Sequence, residues 1–129
     1  MEKEHIRNPK QTQFSNAYDC EILVDGEWIS FTAVSDDVEP IGVEVHRLIN
    51  SGECGAVEQY NWDEHWLNKF SKEKEELLTK SAVSNQIYNE LDEQDKDDLT
   101  AYRKAIKAIT YEYGSGEFTN WPEPPPVII

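Results

Sequence analysis

Asp25-Gly26 is the feature that most restricts how this chain can fold. Asp-Gly suits a two-residue type I′ turn, in which both central residues need positive φ, and apolar residues alternate on both sides of it. Folding about this dipeptide pairs Val24 with Glu27, Leu23 with Trp28, Ile22 with Ile29, Cys20 with Phe31 and Tyr18 with Ala33. One face of the hairpin then holds Tyr18, Cys20, Ile22, Val24, Ile29, Phe31 and Ala33, with Glu27 its one polar member. The other face holds Asp19, Glu21, Ser30 and Thr32, with Leu23 and Trp28 together near the tip. A slip of one residue would mix the two faces, so the register is specified.

The residues that follow predict a cover for the apolar face. Pro40 suits a helix start, and Ile41, Val45, Leu48 and Ile49 recur at i, i+4, i+7 and i+8. Gly52 or Gly55 ends that helix, and Ala56 to Tyr60 reads as a third short strand, giving a β-β-α-β unit over 16–60. Residues 1–15 are polar and unpatterned and read as a flexible arm, with Ile6 and Phe14 available to dock.

Residues 56–113 contain neither Gly nor Pro, so helix is expected to dominate 61–113. Asn61, with Glu64 three residues later, suits an N-cap. Leu67, Phe70, Leu77 and Leu78 form one stripe, and Val83, Ile87 and Leu91 another. The pattern over 63–92 fits one long helix or two. Asp92-Glu93-x-Asp95 marks a turn, with Asp95 as cap of a C-terminal helix over about 96–113. Leu99, Tyr102, Ile106, Ile109 and Tyr113 line one side of it, flanked by Ala101, Ala105 and Ala108, which permit close approach of another element. Asp97 and Asp98 come early and Arg103, Lys104 and Lys107 later, an order that suits the helix dipole. Gly114 and Gly116 punctuate its end, and 114–129 is an extended Trp- and Pro-rich tail. The expected class is α+β: a small antiparallel sheet covered by a helix, then a mostly helical region and the tail.

The formal charge of −14 disfavours nucleic-acid phosphates and anionic membranes as partners. It is uneven, with ten acidic side chains and one arginine between residues 16 and 60. No apolar run reaches membrane-spanning length, and two cysteines without a secretory leader favour a reducing cytoplasm and free thiols.

Residues able to do chemistry are present without the spacing that chemistry needs. His46 and His65 lack convergent ligand partners, so no metal is expected. Cys20 falls on the apolar face opposite Phe31, which favours a buried, inert thiol, and Cys54 sits in a Gly-flanked loop without a recognisable His-Asn arrangement. Acidic pairs such as Asp36-Asp37 and Asp97-Asp98 are unspecific in a chain with 26 acids. Gly114-Ser115-Gly116 follows a helix instead of opening one, so it is no phosphate loop. No enzyme activity and no cofactor are expected. Protein binding remains, with Tyr102, Tyr111, Tyr113, Phe118 and Trp121 as candidate anchors and Leu23 with Trp28 as a second patch. Ordinary packing of the tail on the last helix is the competing reading of that aromatic group.

Tyr102-Arg103-Lys104-Ala105-Ile106-Lys107, a short aromatic loop and Trp121-Pro122-x-Pro124-Pro125 resemble the C-terminal module of tailed-phage tail fibre assembly proteins, also called tail assembly chaperones. Lys104 stands where Gln is usual in that family, Ala108 where Asp is usual and Leu99 where Trp is frequent. Tyr18-x-Cys20, Gly26-x-Trp28, Phe31-Thr32-Ala33, Asp36-Asp37, Gly42 and Gly52-x-x-Gly55-x-Val57-x-x-Tyr60 are similar to the segment before that module. The resemblance implies a non-enzymatic chaperone, encoded by a phage or prophage and acting in the bacterial cytoplasm or on the virion. It implies binding to the distal, receptor-binding part of a tail fibre protein, to assist folding, trimerisation or attachment. The acidity supports an alternative, a DNA-mimic inhibitor that occupies a DNA-binding protein.

Overall fold

The computed structural model describes residues 1–127 and has an α+β architecture. By its internal packing the chain divides into two compact units, Met1–Asn61 and the residues from Trp62 onward.

In the first unit, strands β1 (Ile6–Gln11), β2 (Ala17–Val24) and β3 (Glu27–Val34) form an antiparallel sheet in the order β1-β2-β3, followed by helix α1 (Pro40–Asn50). The β2–β3 pairing has the register set by the turn, from Val24 opposite Glu27 to Tyr18 opposite Ala33. Asp25 and Gly26 have φ of 51° and 80°, as a type I′ turn requires. Ile6, Cys20, Ile22 and Ala33 on the sheet and Val45, Leu48 and Ile49 on α1 form the buried core, with Tyr18, Phe31, Cys54 and Val57 packed at its margin. Burial on this face fades toward the turn, where Val24 and Ile29 are exposed.

Three expectations for this unit are corrected. The N-terminal segment is no free arm: Ile6 is buried opposite Ile22 and carries β1 into the sheet. Phe14 does stay exposed. The third strand is therefore β1 and not Ala56–Tyr60, and the order of elements is β-β-β-α. Glu58 adds only a bridge on the outer side of β1, with Gln11 N–H donating to its carbonyl (2.8 Å) and its own N–H donating to Pro9 O (3.0 Å). Finally, Ile41 is exposed, and the buried position in the first turn of α1 is Gly42. A Cβ there would collide with the Asp37 carboxylate, whose Oδ1 accepts from Glu39 N–H (2.9 Å) ahead of the helix. Beyond Asn50, Gly52 turns the chain out of α1 at φ 87°.

The second unit contains α2 (Trp62–Lys80), α3 (Asn85–Glu90) and α4 (Glu93–Ala108). The stretch left open by the sequence is thus two helices. Val83, Ile87 and Leu91 do not act as one stripe, because Val83 precedes the Ser84 cap of α3 and Leu91 follows the helix; Val83 and Ile87 are exposed. Helix α4 begins before the expected cap: Asp92 Oδ1 accepts from Asp95 N–H (2.8 Å), so Asp92 is the cap. It also ends earlier. Ile109 is extended at φ −74°, ψ 128°, and β-branched Ile109-Thr110 follow Ala108, so Ile109 and Tyr113 lie beyond the helix.

Helices α2 and α4 run antiparallel, since Leu78 meets Arg103 while Lys74, earlier in α2, meets residues 107 and 109. Each terminates the other. Lys74 Nζ donates to the carbonyls of Lys107 (3.2 Å) and Ile109 (2.7 Å), and Arg103 Nη1 donates to Leu78 O (2.5 Å) and to Oγ of buried Ser81 (2.7 Å). Carbonyls that a helix end leaves without a partner are thereby satisfied by a cation, which also suits the dipole. Phe70, Leu99, Tyr102 and Ile106 are the buried side chains of this unit's helices. Ala101, Ala105 and Ala108 are exposed, so among the described residues no element makes the close approach that their size permits.

Candidate functional site

The aromatic residues after α4 are organised by Phe70, buried on α2. Trp121 stacks on its ring (centroids 5.0 Å apart, planes at 19°), Phe118 meets it edge-on (5.3 Å, 87°), and Tyr111 lies at 5.5 Å. Phe118 and Trp121 also touch each other edge-to-face at 4.7 Å. These are the preferred geometries of aromatic pairs.

Two hydrogen bonds fix the loop that makes the cluster possible. Tyr111 Oη donates to Gly116 O (2.8 Å), closing a turn in which Gly114 and Gly116 have φ of 90° and 80°. Trp121 Nε1 donates to Glu73 Oε2 (2.8 Å), tying the end of the segment to α2. Lys69 Nζ joins both sides of this arrangement, reaching Glu73 (3.4 Å) and Glu117 (3.0 Å). Its hydrogen bond to Glu117 raises the Lys69 pKa, and the one to Glu73 adds to it.

The five tail candidates therefore separate. Tyr102 is buried at 6% exposure in the α2–α4 packing, so its place among the anchors is corrected: it is core. Tyr111, Phe118 and Trp121 are half-buried and pack on Phe70 while keeping one side outward. Tyr113, at the apex of the loop, is 64% exposed.

The first unit brings Leu23 and Trp28 together as cross-strand partners at the hairpin tip, Trp28 half-buried and Leu23 beside it. The Arg7 guanidinium lies 4.2 Å from the Trp28 ring centroid and pairs with Glu21 (3.2 Å). Glu21 also accepts from Asn8 Nδ2 (2.6 Å), and its carboxyl is held below the usual range by Asn8 first and then Arg7. Trp28 is thus one wall of a polar lattice across the open face of the sheet, where Thr32 Oγ1 also donates to Asp19 (2.7 Å).

Sequence reasoning missed the aromatic group at the start of α2. Trp62, His65 and Trp66 are mutual ring neighbours at 5.0, 5.6 and 4.7 Å, and Trp62 is exposed. The signal was available, because Trp62, Trp66 and Phe70 recur at i, i+4 and i+8 along a helix. Reading His65 only as a possible ligand obscured it.

Cys20 and Cys54 are free thiols; burial pushes Cys20 up to about 11 and raises Cys54 as well. Among the described residues no group of three or more His, Cys, Asp or Glu is placed to hold a metal ion. No helix of the described residues is long and apolar enough to cross a membrane. Comparison with protein-family models, with curated proteins and with solved structures finds no match to this chain.

Proposed function

We propose that this protein is a phage or prophage assembly chaperone that binds the distal part of a tail fibre protein and assists its folding, trimerisation or attachment. It acts by binding and not by catalysis, in the cytoplasm of the bacterial host or on the virion. The observation that carries this reading is the loop after α4. Tyr113 stands exposed on a turn held from both ends, by Tyr111 on Gly116 and by Trp121 on Glu73. An aromatic anchor on ordered backbone loses little conformational freedom on binding, and Tyr and Trp dominate binding hot spots. The resemblance of the Tyr102–Lys107 helix and the Trp121-Pro122 ending to tail fibre assembly proteins supplies the partner. Fibre subunits expose strand edges before they trimerise, and such edges aggregate unless covered.

The test is co-purification of the tagged protein with a tail fibre protein from the same phage or prophage genome. The wild type retains the fibre, and Tyr113→Ala weakens retention by about 2 kcal/mol, the scale of a hot-spot residue. No retention by a folded wild-type protein contradicts the reading. Capture of a basic DNA-binding protein that is released steeply by salt would support DNA mimicry instead.

A further inference from the structure

The two edges of the sheet are treated differently. Strand β1 carries the features that keep an edge from pairing: Pro9 and Lys10 within the strand, a bulge between Arg7 and Lys10 with Asn8 at φ 54°, and the Glu58 bridge on its outer side. Strand β3 has none of them. It runs for eight residues, EWISFTAV, without Pro, Lys or Arg, and pairs with β2 at every position without a register shift. Among the described residues the one backbone bond to its outer side lies at its very end, where Asp37 N–H donates to Val34 O (3.2 Å), so the edge from Trp28 to Thr32 is left without a backbone partner.

The hairpin determines which groups that side presents. In a two-residue hairpin the pair flanking the turn, Val24 and Glu27, is hydrogen-bonded, and bonded pairs alternate from there. Residues 27, 29, 31 and 33 therefore bond inward to β2, and the N–H and C=O groups of Trp28, Ser30 and Thr32 point outward. Ile29 adds an exposed apolar side chain on the α1-covered face.

We propose that the outer edge of β3 is a docking site for an extended, cationic segment of a partner, which adds to the sheet as a fourth strand. Charge selects this occupant. Asp25 and Glu27 lie at one end of the edge and Asp36 and Asp37 at the other, with no cation on β3 between them. A strand bearing Lys or Arg at its ends complements both clusters, and apolar residues on its helix-facing side pack beside Ile29. A second copy of this chain is disfavoured by the same charges. Antiparallel pairing of two β3 edges about Ser30 would set Asp25 of each copy beside Ser35 and Asp36 of the other, and apposed like charges destabilise a sheet. The inference rests on the assembly reading only for the donor's identity, an unpaired fibre strand before trimerisation.

Ser30→Pro tests the site without breaking the hairpin, because the N–H it removes faces outward. Ile29→Lys is the second variant, placing a guard charge on the edge. The probe is the peptide acetyl-Lys-Thr-Val-Thr-Val-Thr-Lys-amide, titrated into the 15N-labelled full chain, with the Glu-ended analogue as comparison. The expected result is slowed hydrogen exchange at Trp28, Ser30 and Thr32, and binding about tenfold weaker for the Glu-ended peptide and for each variant, equal to about 1.4 kcal/mol. Absence of protection at these amides, or equal binding of the two peptides, overturns the proposal. So does a wild-type dimer that Ser30→Pro converts to monomer, which would assign the edge to a second copy. Failure of the wild type to retain the fibre removes the assembly reading and leaves the peptide result to decide the edge.

Discussion

Gly42 and Cys20 illustrate opposite relations between a residue and its surroundings. In an open helix, Gly→Ala is stabilising by roughly 0.5–1 kcal/mol, from backbone entropy. At Gly42 the added Cβ would strike the Asp37 side chain from its carboxylate back to its own Cβ, which lies 2.8 Å away. Overpacking of this kind costs about 1–3 kcal/mol, so the steric term wins and Gly42→Ala destabilises. Urea denaturation measures the difference, and a more stable variant would mean that Asp37 does not lie against the helix. Cys20 is legible in the sequence alone: the turn-defined register places it opposite Phe31 on the inner face, and it is buried there. Its raised pKa, about 11, means that the unfolded chain ionises first as pH rises. The stability that Cys20 contributes is complete below the ordinary thiol range and is lost as pH rises toward 11. Cys20→Ala should flatten the fall in melting temperature over that interval. Iodoacetamide at about pH 8, near the ordinary thiol pKa, should modify Cys54 before Cys20 in the folded protein, and the reverse order would contradict the burial.

Elements were legible where local chemistry alone decides them. The Asp25-Gly26 turn fixed β2 against β3, and Pro40 with the Val45–Ile49 stripe located α1. Strand β1 was not legible, because one apolar residue, Ile6, carries it and its Pro9 and bulge read as irregular chain. The ends of α2 and α4 were hidden for a related reason: Lys74 and Arg103 looked like solvated charges, and their partners lie at least 22 positions away. Removing either cation tests this reciprocal arrangement. Arg103→Leu leaves Ser81 Oγ and the Leu78 carbonyl without their charged donor in a buried setting and should cost about 2–3 kcal/mol. Lys74→Met retains the length of the side chain and should cost less, about 1 kcal/mol, with faster amide exchange confined to the last turn of α4. Equal stability of Arg103→Leu and wild type in thermal melts would show that the helix ends are satisfied by solvent.

Across the whole molecule, the anchors proposed from the sequence divide by what holds them. Tyr102 belongs to the packing, the Phe70 cluster makes Tyr111, Phe118 and Trp121 a support, and the support presents Tyr113. Residue type and spacing could not separate these roles, since all five are aromatic and lie between positions 102 and 121. Their order along a chain that turns back on α2 decides which face is outward. The decisive measurement is the yield of soluble tail fibre trimer when the fibre protein is expressed with and without this protein. Co-expression is predicted to raise the yield several-fold, with the gain reduced by Tyr113→Ala. An unchanged yield with the folded wild-type protein present at equal or greater amount would contradict a role in fibre assembly.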